Sequence, residues 1–517
     1  MNNKMAVRGG AGDILEPKVG TRPQDNLYLA VNSEWLENVK IPSDRSRIAS
    51  FDNIDLDVEK KLMKDFADFA DGKKEVADVP NLKKAVELYK LARDFKRRDE
   101  DGAKPIQADL ALLEGIRDFA DFNLKAPDLF KAAFALPFSF DVDADMKNTK
   151  INVLQFFGSS IFLPDTTTYK TDAAQKLLDV LKKQSIELLK MAGLSAGQAE
   201  EYVDDAMKFD DKVSKVVKSS EEWADYPAMY NPMPISDFEK KITNFKMDYF
   251  LKEALGEVPD RVIVAEPRYL DHFDELINED NFDEIKGWMI VKFINGVASY
   301  LSQDFREASF PFSQALSGQP ELQSQEKQAY HLANGIFSEV VGVYYGKTYF
   351  GEDAKKDVLS MIHKMLDVYE ERIKNNDWLS EETKHKAIVK LRALILKIGY
   401  PDKIEEIYDR LHVTPASEGG SLYSNARAAE IEQVKYNVEK LHKPVDRTVW
   451  LMPGNLVNAC YDPQRNDLTF PAAILQAPFY DLKQDRAENF GGIGTVIAHE
   501  VSHAFDNNGA QFDEYGN

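Results

Sequence analysis

Apolar residues recur at three- and four-residue intervals along much of this chain, and that spacing predicts helices. Residues 82–97 and 173–191 carry such stripes, and Val358, Ile362, Met365, Tyr369 and Ile373 trace another. Ser380 is placed to cap a further helix, which carries Ala387, Leu391, Leu394 and Ile398 and ends at Gly399 and Pro401. Ile493, Ile497 and Val501 stand at the same spacing, after a Phe-Gly-Gly lead-in that reads as flexible and before Gly509. Shorter runs at 152–157 and 159–164 read as strands or extended segments, and 450–452 and 467–470 as short strands. The expected fold class is mainly α with small β elements, an α+β arrangement. The helical stripes are read as core packing, not as ligand grooves.

Breakers divide this pattern. Residues 1–22 are polar and rich in glycine and charge, and are expected to form a mobile leader. Tyr230-Asn-Pro-Met-Pro234 is a breaker-rich boundary, and 415–421 is a Gly/Ser-rich loop. The expected division is therefore 1–22, 23–232, 233–432 and 433–517. A chain of 517 residues is long enough for more than one domain.

Composition narrows the partners. The 65 Lys and Arg are outnumbered by 87 Asp and Glu, a net charge of −22. Nucleic acid and anionic membranes attract clustered positive charge, so neither is expected as a partner. No apolar stretch has the roughly 18 residues that a membrane helix requires, and no signal-peptide core is visible. Cys460 is the single cysteine, so no intrachain disulfide can form. A reducing compartment, the cytoplasm, is expected.

The candidate chemistry lies in His499-Glu500-Val501-Ser502-His503. Residues four apart share one face of a helix, so His499 and His503 can direct two imidazole nitrogens at one metal. Glu500, beside them, is placed to take a proton from water, and the pattern points to zinc-assisted peptide hydrolysis. Asp506, one turn past His503, is expected to orient a ligand histidine. A catalytic zinc takes three protein ligands. A third histidine ten residues after the first would fall at Gly509, which has no side chain, so the third ligand is expected from a later helix. His272, His331, His363, His385, His412 and His442 are isolated and are not read as ligands.

The stretch Asn489-Phe-Gly-Gly-Ile-Gly-Thr-Val-Ile-Ala-His-Glu-Val-Ser-His-Ala-Phe-Asp-Asn-Asn-Gly509 resembles the zinc-helix signature of the neprilysin and endothelin-converting-enzyme family, above all its soluble bacterial oligoendopeptidases. Val457-Asn458-Ala459-Cys460-Tyr461 is similar to the family's substrate-binding motif, and Asn466 to Gln476 to the strand and loop after it. The segment from Gln24 to Trp35 and Lys397-Ile-Gly-Tyr-Pro401 extend the resemblance over essentially the whole chain.

The resemblance implies a two-lobed, zincin-like peptidase. Residues 23–232 and 433–517 would build the catalytic lobe and 233–432 a helical lid, with the catalytic lobe incomplete at its C-terminal end. It also implies that Asn458 and Ala459 bind the substrate backbone, that an edge strand receives the peptide, and that Arg47 faces the substrate's C-terminal side. Asp55 stands where the animal enzymes carry a second arginine, which favours internal cleavage. In the family the third zinc ligand is a glutamate on a later helix. The expected function is a cytoplasmic zinc metalloendopeptidase acting on oligopeptides, with His499 and His503 as Zn2+ ligands and Glu500 as general base. The alternative is a catalytically incomplete fragment or peptide-binding remnant, its site completed by a separate C-terminal segment or a second copy.

Overall fold

A computed structural model describes Val7–Arg8, Ile14–Leu15 and residues 17–517 of the chain. The leader expected over 1–22 falls largely outside the described residues.

Helix α1 (Ser50–Ala70) buries Ile54, Val58, Leu62, Phe66 and Phe69 on one face, a repeat of three and four residues. It packs on α2 (Leu82–Arg93). The single helix expected over 82–97 is two. Asp94 leaves the helical conformation and caps a second helix, Phe95–Asp101, by accepting the backbone N–H of Arg97 at 3.2 Å. An aspartate that can satisfy an orphan N–H favours a helix start over a helix interior.

The largest core follows. Strands β1 (Ser139–Asp145) and β2 (Asn148–Phe157) form an antiparallel hairpin in which Phe140 pairs with Phe156. Helices α3 (Ala174–Met191) and α4 (Ala196–Ser214) come next, the second opened by a reciprocal cap between Ser195 and Gln198. Strands β3 (Pro232–Pro234) and β4 (Arg261–Val264) complete a sheet of order β1-β2-β4-β3. Two prolines fit β3 because it lies at the edge, where a missing N–H breaks no central ladder. Helix α5 (Phe282–Val297) crosses α4 closely at Gly287, where a β-carbon would come 2.5 Å from the carbonyl oxygen of Tyr202.

Phe140, Phe156, Phe209, Phe238, Phe250 and Trp288 share this core, whose residues run from Ile106 to Phe305 and include Tyr423. The boundary expected at 232/233 therefore runs through one packed core and its sheet. Within the breaker-rich stretch Tyr230 to Pro234, Pro232–Pro234 forms an edge strand.

Helix α6 (Gln325–Ile336) returns to α2. With α1, the helix Ser338–Tyr345, Tyr400, Leu411, Ala472 and Ala473 it forms a second core. The third core holds the site. Helix α7 (Glu352–Lys374) buries Val358, Ile362 and Leu366. Helix α8 (Glu381–Arg392) is capped by Ser380, whose Oγ accepts the N–H of Thr383 at 3.1 Å. It stops at Arg392, short of the expected Ile398. Strand β5 (Ile395–Gly399) takes over and pairs in parallel with a later strand. Ile-Leu-Lys-Ile fits a helical and an alternating period equally, and the open sheet edge decided between them.

Strands β6 (Cys460–Asp462) and β7 (Asp467–Pro471) complete a three-stranded sheet of order β5-β7-β6, with β7 buried in the middle and β6 at the edge. Residues 450–452, expected as a strand, form a bend. Helix α9 (Ile493–His503) lies against β6 and α7.

The segment after α9 bridges two cores. Asn466 Nδ2 donates to the carbonyl of Glu514 at 3.1 Å from the third core. On the first core, the Thr149 N–H donates to Asn517 Oδ1 at 3.0 Å and its hydroxyl to the carbonyl of Tyr515 at 2.7 Å. Tyr226 and Phe512 meet edge to face, 6.4 Å between ring centres.

Candidate metal and peptide site

The lead-in to α9 is ordered by specific bonds. A helix spans Arg486–Gly491, and the side chain of buried Asn489 is held by both backbone groups of Asp481. The chain then turns at Gly492, where a β-carbon would meet the carbonyl oxygen of Phe479 at 2.4 Å. The expected flexible lead-in is a close-packed corner, and glycine serves there for lack of space.

Ile493, Ile497 and Val501 face the third core, as their spacing predicted. That fixes the rotation of α9. His499 is left exposed, His503 half-buried and Glu500 7% exposed beside the sheet edge. The Tyr369 hydroxyl donates to the carbonyl of Ala498 at 2.8 Å and ties α9 to α7.

The two imidazoles converge. Nε2 of His499 and Nε2 of His503 lie 3.0 Å apart, with Nδ1 of His503 2.7 Å from Asp506 Oδ2. A carboxylate only accepts, so Asp506 places the ring proton on Nδ1 and leaves Nε2 of His503 with its lone pair. Zinc–nitrogen bonds of about 2.0–2.1 Å in a tetrahedral site put two ligand nitrogens roughly 3.3 Å apart. The observed spacing and the tautomer both fit zinc. Among the described residues, His499, Glu500 and His503 form the one His/Cys/Asp/Glu group compact enough for a metal, with ligand atoms within 4.8 Å of one another.

Burial pushes the Glu500 carboxyl above its usual range, against His503, His499 and the backbone N–H of Tyr461, which favour the charged form. Burial acts in the same direction on Asp506. There the His503 bond and the N–H groups of Gly509 and Asn508 outweigh it and hold the carboxyl below its ordinary value. Helix α9 and the turn that follows it thus carry a more basic and a less basic carboxylate close together.

A cavity of about 340 Å³ opens on His499 and Glu500. Asn458 and Ala459 lie on its wall with Phe51, Ile474, Thr495 and Val496. Asn458 and Ala459 immediately precede edge strand β6, so the site and an open strand edge are continuous. Arg47 is not part of the cavity wall. It is exposed, with Nε 3.7 Å from Asp52 Oδ1, and Asp55 pairs with Arg45 at 2.7 Å. Phe51, at the start of α1, reaches the wall and touches Phe479, with ring centres 5.1 Å apart. Sequence reasoning missed Phe51 because only the long-range fold brings α1 to α9. Cys460 lies beside the site, its thiol pushed up to about 11 by burial and by the charges of Asp467 and Glu500.

A converging imidazole pair, a buried carboxylate and a strand edge in one cleft are the parts of a metallopeptidase site. The sequence profiles of peptidase family M13 match residues 23–401 and 458–517. A neutral endopeptidase of Lactobacillus helveticus is 61% identical over all 517 residues, which cover 79% of that protein. The crystal structure of PepO from Lactobacillus rhamnosis superposes with a TM-score of 0.89 at 37% identity, covering 96% of this chain and 78% of that one. The Mycobacterium tuberculosis zinc metalloprotease Zmp1, in complex with an inhibitor, superposes with a TM-score of 0.87 at 26% identity over 97% and 75% of the two chains. The chain belongs to peptidase family M13, the neprilysin family of zinc metallopeptidases. No helix of the described residues is long and apolar enough to cross a membrane.

Proposed function

We propose that this chain carries the peptide-binding edge and the proton-transfer centre of a zinc endopeptidase that cleaves oligopeptides in the cytoplasm. The observation that carries the reading is the converging Nε2 pair, its tautomer set by Asp506, beside the buried Glu500 carboxylate. His499 and His503 would hold the metal. Zinc, when bound, supplies Lewis acidity to the scissile carbonyl and to the attacking water. A third ligand, from a later segment or a second copy, belongs to this reading, because such sites use three protein ligands.

Glu500 takes the proton of the attacking water on its carboxylate and returns it to the leaving amine. Its burial supports this role, since a carboxylate removed from water is a stronger base. A substrate strand adds to the free edge of β6 through main-chain hydrogen bonds, which bind many sequences alike. Asn458 and Ala459, where the strand begins, hold the substrate backbone. Arg47, exposed just before α1, is assigned to the substrate's C-terminal side. The family resemblance implies one lobe built from residues 23–232 and 433–517. The packed cores support a different grouping, in which residues 106–305 form most of one core and α1, α2 and residues 325–517 most of the two others, the third of which carries α9.

The test is peptide cleavage by the purified chain with added zinc, read by mass spectrometry, beside Glu500→Gln. Cleavage is expected to fall by 100-fold or more in the variant, on the order of a lost general base, and to vanish with a chelator. Wild-type turnover in Glu500→Gln would remove Glu500 from its role. Absence of cleavage by a folded, zinc-loaded chain would favour the alternative, a peptide-binding unit that needs a further ligand.

A further inference from the structure

Lys390 lies on α8 and is 6% exposed. Among the described residues no carboxylate lies within ion-pair distance of it. Its ammonium donates instead to two backbone carbonyls, those of Gly509 and Phe512, the latter at 2.8 Å. A buried ammonium is expensive to desolvate. A site that binds one through two carbonyls constrains the backbone that carries them.

That backbone is the turn leaving the His-Glu-x-x-His helix. Asp506 Oδ1 accepts the N–H groups of Asn508 at 2.9 Å and Gly509 at 2.8 Å, while its Oδ2 meets His503 Nδ1 at 2.7 Å. The turn doubles back so tightly that a β-carbon on Gly509 would fall 1.8 Å from the carbonyl oxygen of His503. Inside the turn Asp506 binds the N–H of Gly509. Outside it Lys390 binds the same residue's carbonyl. The peptide groups at Gly509 are therefore gripped from both sides, and one of the two grips also aims His503.

We propose that Lys390 is a positioning residue for the metal site, acting through the Gly509 turn and Asp506 to hold Nε2 of His503 in its binding direction. This rests on the reading of His503 as a zinc ligand. A residue that merely packed α8 against the tail would affect stability but would act independently of Asp506.

The experiment is zinc affinity of the purified 517-residue chain by chelator competition, for wild type, Lys390→Met, Lys390→Arg, Asp506→Asn, Lys390→Met with Asp506→Asn, and His503→Ala. Lys390→Met is expected to weaken zinc binding about tenfold, the scale of lost support to a ligand histidine. Lys390→Arg, which keeps donors for both carbonyls, is expected to recover most of that loss. In the Asp506→Asn background Lys390→Met should cost nothing further, because both act on the same imidazole. Wild-type affinity in Lys390→Met, or losses that add to those of Asp506→Asn, would overturn the proposal. If Lys390→Met does not fold, Lys390→Leu, which likewise offers no donor to the two carbonyls, is read by the same criteria. Undiminished binding in His503→Ala would overturn the ligand reading itself, whatever the Lys390 variants show.

Discussion

Single residues decide which chemistry the cleft supports. Cys460 follows Asn458 and Ala459 of the cavity wall at the start of β6, and a thiol there invites a nucleophilic reading. Burial and the charges of Asp467, Glu500 and Asp462 push its ionisation up to about 11, so near neutral pH it is a thiol. Cys460→Ser is expected to cleave peptides within about threefold of the parent, and iodoacetamide at pH 7.5 to label the folded chain far more slowly than the denatured one. Rapid labelling with parallel loss of activity would reverse that assignment. At this scale the sequence was highly informative. His499, Glu500, His503 and Asp506 sit within two helical turns, so local spacing alone placed them together. Lys390 and Phe51 reach the same place from distant parts of the chain, and no local period reports that.

Elements carry the site through their orientation. Helix α9 presents its histidines outward only because Ile493, Ile497 and Val501 anchor the other face in the third core. Ile497 is fully buried, and Ile497→Ala is expected to lower stability by about 2–5 kcal/mol through lost transfer energy and the cavity left behind. Denaturant unfolding of the two proteins side by side measures it, and a loss well under 1 kcal/mol would show that α9 is held from elsewhere. Long helices with one apolar stripe, α3 and α7 above all, were legible in the sequence because burial on one side imposes a period. Strand β5 was not. Five apolar-rich residues satisfy two periods at once, and the partner that selects between them, β7, is contributed by residues 467–471.

For the whole molecule, the same limit applies to domains. The turn-rich stretch at 230–234 looked like a joint because prolines and asparagine mark joints and edge strands alike. Its real neighbour, β4, comes from 261–264. Global stability also carries a pH signature from a group outside the site. Glu339 is buried on the helix Ser338–Tyr345, and its carboxylate accepts the backbone N–H of Glu405 at 2.6 Å. Burial raises its pKa to about 7, with the charge of Glu405 adding to the effect and that N–H opposing it. The folded chain therefore holds a proton that the unfolded chain has released. Its contribution is fully present below about pH 4.5, is lost as pH rises, and is gone above about 7. Glu339→Gln is expected to be more stable than wild type at pH 8 by up to about 3 kcal/mol and nearly equal to it at pH 4.5. Equal unfolding midpoints at pH 8 would show that the group is ionised in the fold at no cost.

The segment from Asp506 to Asn517 binds the third core through Lys390 and Asn466 and the first core through Thr149. It is a tether moored on two bodies, and its inner end is the turn that aims His503. A shift of one core against the other would pull on this segment, and on the proposed reading of His503 as a zinc ligand that pull would reach the imidazole pair through Asp506.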